Sequence, residues 1–373
     1  MRDPRLKVLA KQILEHSVKA GKGDKIMIHG QPNTKPLMLE LLEEAYKLGA
    51  YPFMELKDDE LDRQWAIQSS LEQYETIARW EMQRFQDLDA LIYIVGEEND
   101  AEMTDIPAEV FRVSGEVMKP VTDYYINKCR WVLLNYPTKS LAQKAGMSTS
   151  KFEDFLLDVC TVDYAKMAAA MKPLKELMEK TDRVRIVSPG TDLTFSIKGI
   201  PAVMCYGERN IPDGEVYTAP VRDSVNGTIT YNTPCPYQGT TFRNVSLTFK
   251  DGKIIKAEAD QSEKINDIFD IDEGARYIGE FALGLNPMIH HPMGDILFDE
   301  KINGSIHFTP GLAYKEADNG NVSSIHWDMV LVQREEYGGG EIYFDDRLIR
   351  KNGLFVVPEL EGLNPNALLG KGK

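Results

Sequence analysis

At 373 residues the chain exceeds what one small core organises, and its length predicts two domains. Hydrophobic residues make up 43% and charged ones 27%, and no apolar run approaches the roughly 18–20 residues that span a bilayer, so no membrane role is expected. A formal charge of −15, with no Lys/Arg-rich stripe, argues against nucleic acid as a partner, because phosphate recognition needs a basic field.

Met1-Arg2-Asp3-Pro4-Arg5 leads directly into a charged amphipathic pattern over Leu6 to Val18, without an apolar signal core, and a cytoplasmic protein is expected. Lys25 to His29 reads as a short strand ending at Gly30, and Lys35 to Leu48 as a helix. Tyr51 to Leu56, Ala90 to Val95 and Trp131 to Tyr136 read as further strands, separated by helical stretches over Leu61 to Arg84 and Pro107 to Met118. This alternation predicts an α/β N-terminal domain with a mostly parallel open sheet. The turn His29-Gly30-Gln31-Pro32-Asn33-Thr34 lacks both glycine-rich phosphate patterns, so nucleotide binding has no marker here. Helices over Leu141 to Ala145, Lys151 to Val159 and Tyr164 to Lys180 close this half, placing the domains at 1–183 and 184–373.

From Val184 the grammar changes to short alternating strands, such as Leu193, Phe195 and Ile197 on one face. Asp251-Gly252 and Asn226-Gly227 are hairpin signals, with Asp345-Asp346 as a third turn. A β-rich α+β C-terminal domain follows, and it carries the candidate chemistry. The four cysteines show no C-x-x-C spacing, which argues against a thiolate zinc site and against a disulfide framework.

Candidate ligands are histidines and carboxylates. In Ile325-His326-Trp327-Asp328-Met329, strand alternation sets His326 and Asp328 on one face while Ile325, Trp327 and Met329 pack on the other. An imidazole and a carboxylate held on one strand suit a divalent metal; the plainer reading is a polar strand face. His307 is flanked by Ile306 and Phe308, which would hold it in the same way. The doublet His290-His291 lies between Pro287 and Pro292, where adjacent rings diverge. Glu280 sits in the otherwise largely small and apolar stretch Ala275 to Gly284, where a carboxylate must be coordinated or paired, with Arg276 as the nearby cation. Glu215 follows the turn Asn210 to Gly214, and Asp299-Glu300 precedes His307; a solvated acidic turn is the alternative for each.

In order along the chain, Pro212-Asp213-Gly214-Glu215-Val216-Tyr217-Thr218-Ala219-Pro220, Gly274 to Glu280, Phe298-Asp299-Glu300, Ile306-His307 to Gly311-Leu312-Ala313-Tyr314, and Ile325-His326-Trp327-Asp328 resemble the aminopeptidase T family of metallo-exopeptidases. The resemblance implies a two-metal site with Glu215, Glu280, Glu300, His307, His326 and Asp328 as ligands, and Tyr314 beside it. It also implies a homodimer. Two divalent ions (Zn2+, Co2+, Mn2+ or Mg2+) would polarise a scissile carbonyl, activate water and bind the free amino group of a short peptide. Glu280 would bridge them, Tyr314 would stabilise the oxyanion, and a carboxylate would serve as base. The expected activity is therefore a metal-dependent aminopeptidase. The alternatives are another two-metal hydrolase of amides or phosphoesters, and a non-catalytic assembly protein with structural metal.

Overall fold

A computed structural model describes residues 3–371; Met1 and Arg2 of the N-terminal stretch lie outside the described residues. The chain divides into two compact units, one running up to Thr161 and including Gly207–Ile211, the other formed by Val162–Tyr206 and the chain from Pro212 onward. The division falls before residue 183, because helix Tyr164–Lys180 belongs to the second unit. Its Tyr164, Met167, Met171, Leu174 and Met178 are buried, and the Tyr164 hydroxyl accepts the Asp213 N–H at 2.9 Å.

The first unit is built on a five-stranded parallel sheet in the order Tyr51–Leu56, Lys25–Gly30, Ala90–Val95, Arg130–Asn135, Asn210–Ile211. Ile26, Ile28, Ile92, Ile94, Val132 and Leu134 are fully buried, as expected of strands covered on both faces by crossover helices. The continuous helix expected over Leu61 to Arg84 is instead two, Asp59–Gln68 and Leu71–Gln86. Ser70 starts the second with a capping box: its hydroxyl accepts the Gln73 N–H, while the Gln73 side chain accepts the Ser70 N–H. The helix predicted from Pro107 continues past Met118 to Lys128. Among the described residues no helix is long and apolar enough to cross a membrane.

The second unit stacks an eight-stranded antiparallel sheet on a five-stranded one, with a separate hairpin of Cys235–Tyr237 and Thr240–Phe242. Phe195 from the larger sheet meets Phe281 and Phe308 of the smaller at ring separations of 5.0 and 5.1 Å, forming the aromatic centre of the core. Asp251-Gly252 turns the hairpin of Ser246–Lys250 and Lys253–Glu258, and Asp345-Asp346 turns that of Glu341–Phe344 and Arg347–Lys351. Asn226-Gly227 is not a turn: both residues lie in strand Asn226–Thr230, paired on both sides. A Cβ on Gly227 would meet the Asp192 carbonyl oxygen at 2.1 Å, so this glycine serves close strand approach.

The five-stranded sheet runs Val330–Val332, Ser305–Pro310, Ile278–Gly284, Glu215–Thr218, Val203–Cys205. Its pairing places Phe281 opposite Thr218 and Phe308, and Leu283 opposite Val216 and Ile306, all facing the core. The intervening residues Glu215, Tyr217, Ala282 and His307 then share the other face. A register shift between Ile278 and Glu280 re-aims Glu280 opposite Thr309. At Gly279 a Cβ would meet the Leu312 carbonyl oxygen at 2.2 Å, so only glycine fits the displaced backbone.

Candidate metal centre

Polar side chains converge on this second face. The His307 ring, 1% exposed, has Nε2 at 2.8 Å from Glu280 Oε1 and 3.4 Å from Glu215 Oε2. His326 Nε2 lies 3.6 Å from Glu280 Oε2 and 3.3 Å from Asp328 Oδ1. On its other side His326 donates from Nδ1 to the Leu312 carbonyl at 2.8 Å, which leaves the Nε2 lone pair for a cation. Asp328 is oriented by the Thr309 hydroxyl, which donates to Oδ1 at 2.7 Å. The segment bearing His326 and Asp328 is extended without being a regular strand, with His326 making an isolated bridge to Gly311. The alternation holds nonetheless, since Ile325, Trp327 and Met329 are buried. Trp327 packs against Tyr237 and Phe242 at 4.7 and 5.2 Å between ring centres, anchoring the segment.

Glu215 lies in a strand and is 6% exposed, so it is not the solvated post-turn acid that its local sequence would also allow. Glu280 is not paired with Arg276, whose guanidinium binds Asp270 and Asn266 instead. Of the pair Asp299-Glu300, Asp299 turns away and accepts the backbone N–H groups of Met293 and Gly294, while Glu300 joins the cluster. Three overlapping sets of donors result: Glu215, Glu280 and His307; Glu280, His326 and Asp328; Glu300, His307 and Asp328. In each the candidate atoms lie within 4.8 Å of one another. Glu280, His307 and Asp328 each belong to two sets. The Tyr314 ring packs 4.5 Å from His326 and 5.9 Å from Tyr217, and is 43% exposed.

Electrostatics are consistent with a cation site. Burial pushes the Glu280 carboxyl up, against the pull of His307. Burial opposes charge on both imidazoles, but Glu215 and Glu280 outweigh it at His307, and Asp328 and Glu280 raise His326 to about 9. Asp328 is held below the usual carboxylate range despite burial, chiefly by His326. Buried carboxylates thus draw positive charge onto the rings, the role a divalent ion fills when it displaces those protons. Glu215 Oε2 and Glu280 Oε2 are buried without a hydrogen-bond partner, and such orphaned acceptors on two histidine-flanked carboxylates fit a metal.

Lys301, Asp213 and Cys205 extend the cluster, and none was singled out as a candidate ligand from the sequence, although Asp213 lies in the motif that includes Glu215. Lys301 is fully buried, with its ammonium 3.4 Å from Glu215 Oε1 and in a short ion pair with Glu300. Asp213 and Cys205 form a further donor set with Glu215, and burial pushes the Cys205 thiol well up. Cys205 is brought there by register, pairing with Glu215 across the sheet edge, and Asp213 by standing two residues before Glu215. His290 and His291 stay apart from the centre: the His290 carbonyl accepts from Arg334, and His291 Nδ1 lies 3.1 Å from the Tyr337 hydroxyl.

A buried, oxygen-rich donor set with two imidazoles on a rigid antiparallel sheet is the ligand chemistry of divalent-metal hydrolases. The chain belongs to the thermophilic metalloprotease family M29, whose profile matches residues 2–354. It is 26% identical over 339 residues to aminopeptidase 2 of Geobacillus stearothermophilus, covering 78% of this chain and 79% of that protein. It is 25% identical to aminopeptidase PepS of Streptococcus thermophilus, covering 94% and 98% respectively. Among solved structures, wild-type AmpT from Thermus thermophilus superposes with a TM-score of 0.78 at 21% identity, covering 95% of this chain and 99% of that one, a likeness of fold.

Proposed function

We propose that the protein is a metal-dependent aminopeptidase that removes the N-terminal residue of short peptides, with two divalent cations held by Glu215, Glu280, Glu300, His307, His326 and Asp328. The observation that carries this reading is Glu280: one buried carboxylate whose two oxygens face two different imidazoles, His307 and His326, so that it could be shared between two cations. Charge supports a cation site. The ligand carboxylates Glu215, Glu280, Glu300 and Asp328 outnumber the single buried ammonium of Lys301, so the cluster carries an excess of negative charge that divalent cations would neutralise. The relatives' aminopeptidase names support the exopeptidase class.

Bound cations would polarise the scissile carbonyl, lower the pKa of a bound water and hold the substrate's free amine. The chain's own groups do the rest. The Leu312 carbonyl fixes the His326 tautomer, and Thr309 fixes Asp328. Tyr314, 43% exposed as a residue but with its hydroxyl desolvated beside Asp328, keeps its proton because both effects push it well above its ordinary value, and would donate to the developing oxyanion. The sheet excludes water from one side of the reacting centre. The donor set takes Zn2+, Co2+, Mn2+ or Mg2+, and availability selects among them. The family resemblance supports a homodimer as the working form, and the charged, signal-free N-terminal pattern supports a cytoplasmic location.

The test is a chelated sample assayed on aminoacyl p-nitroanilides with and without added metal, beside His326→Ala. Turnover only with metal, its loss in the variant, and no cleavage of N-acetylated substrates are expected. Efficient hydrolysis of the blocked substrates overturns the exopeptidase reading.

A further inference from the structure

Lys301 stands inside the cluster of carboxylates. It follows helix Ile296–Asp299 and is pinned by its backbone, whose N–H donates to the Phe298 carbonyl at 3.1 Å while its carbonyl accepts the Asn286 N–H at 3.0 Å. With the side chain fully buried, the ammonium has no route to solvent short of unfolding the segment. A buried lysine is tolerated only where anions compensate it. Here they are Glu300, in direct ion pair, and Glu215, whose Oε1 is 3.4 Å away.

Both of those carboxylates are candidate metal ligands, so an ammonium and a divalent ion draw on the same negative charge. The His326 side of the centre differs. Its carboxylates, Glu280 and Asp328, make close contacts with imidazoles and the Thr309 hydroxyl. An imidazole can give up its proton to an arriving metal, but a buried ammonium remains charged and repels it at short range in a medium less screening than water. Lys301 also orders its partners, which taken alone favours binding. That contribution is the smaller one, because Glu215 is already held in a paired strand buried at all four residues.

We propose that Lys301 makes the two cation positions unequal: its fixed charge weakens the Glu215/Glu300 position, which becomes exchangeable, while the Glu280/His326/Asp328 position binds tightly. This rests on the two-cation reading above. Lys301 acts here by its charge, repelling the cation and competing with it for Glu215 and Glu300.

The experiment is calorimetric titration of the chelated full-length protein with Co2+, followed in parallel by the visible absorption of the bound ion. Wild type should take up two equivalents in steps separated by tenfold or more in affinity, with His326→Ala removing the tight one. Lys301→Gln and Lys301→Met should tighten the weak step at least tenfold and leave the tight step within about threefold, whereas Lys301→Arg should keep the inequality. A merely structural lysine would loosen both steps on replacement, and that result overturns the proposal, as does an unchanged weak step. If the neutral variants do not fold, the wild-type titration decides: two equal steps overturn the proposal. Uptake of fewer than two equivalents, or absence of metal-dependent turnover, sinks the two-cation reading instead.

Discussion

Glu280→Gln should abolish metal binding without harming the fold. In the metal-free protein the carboxyl is 3% exposed, one of its oxygens has no hydrogen-bond partner, and burial raises its pKa. An unsatisfied buried polar group of this kind costs about 1–3 kcal/mol. The amide of glutamine keeps an acceptor 2.8 Å from His307 Nε2 and removes the buried charge, while losing attraction to the two rings. These effects oppose one another, so the metal-free variant should lie within about 1 kcal/mol of wild type. Its response to metal should differ sharply. A cation at a hundred times its dissociation constant stabilises the protein that binds it by about 2.7 kcal/mol. At roughly 2–4 °C per kcal/mol for a unit of this size, the wild-type melting temperature should rise by about 5–10 °C. Differential scanning fluorimetry of chelated samples, with and without Mn2+ or Zn2+, measures both quantities. A variant that keeps more than half of the metal-induced shift, or that loses several kcal/mol without metal, would refute the assignment of Glu280 as the shared ligand.

Tyr314→Phe should lower kcat by roughly 10²–10³-fold while leaving the metal-induced thermal shift intact, since only the donated hydroxyl is removed; an equal loss of metal binding would place the ring's role in the fold. Gly284→Ala should destabilise by about 1–3 kcal/mol in urea unfolding, because its Cβ would meet the Ile302 carbonyl oxygen at 2.3 Å and Ser305 Oγ at 2.5 Å, and wild-type stability would contradict that crowding. Asp272 accepts from the Ser324 N–H and hydroxyl, each at 2.7 Å, from Ser323 Oγ at 2.8 Å and from the Ala275 N–H at 2.9 Å, tying down the approach to His326. Burial resists its charge but these donors, led by the Ser324 N–H, pull it from 3.8 down to about 2. A folded value below the unfolded one means that the stabilisation is present above about pH 4 and lost as the pH falls from 4 towards 2. With solvent screening this amounts to about 1–2 kcal/mol, so Asp272→Asn should lower stability at pH 5 and flatten its fall between pH 4 and 2, as read by denaturant unfolding. An unchanged acid limb would dismiss this anchor.

Periodicity made the first unit legible. Its four principal strands lie where apolar runs bounded by Gly and charged residues predicted them; the inner ones are apolar because a parallel strand covered on both faces must be, whereas the edge strand Tyr51–Leu56 leaves Tyr51, Phe53, Met54 and Leu56 exposed. The helix break at Ser69-Ser70 was present in the sequence too, as a capping box inside an otherwise helical stretch. Asn226-Gly227 misled because the same pair serves a type I′ turn and a close strand crossing, and only the neighbouring strand at Asp192 distinguishes them. In the second unit the alternation around His307 and around His326-Trp327-Asp328 announced which side chains share a face.

The six candidate ligands were nameable because their order along the chain matches a family and because their local patterns put polar groups opposite buried ones. That they meet was decided by strand pairing, which joins Glu215 to Gly284 and His307 to Ala282 across 69 and 25 positions of sequence. The orphaned oxygens of Glu215 and Glu280, the turning away of Asp299 and the burial of Lys301 were likewise invisible beforehand. A residue's own neighbours determine its conformation and the face it occupies, whereas its solvation and charge environment are set by groups distant in the chain, which only the folded sheet brings within a few ångströms.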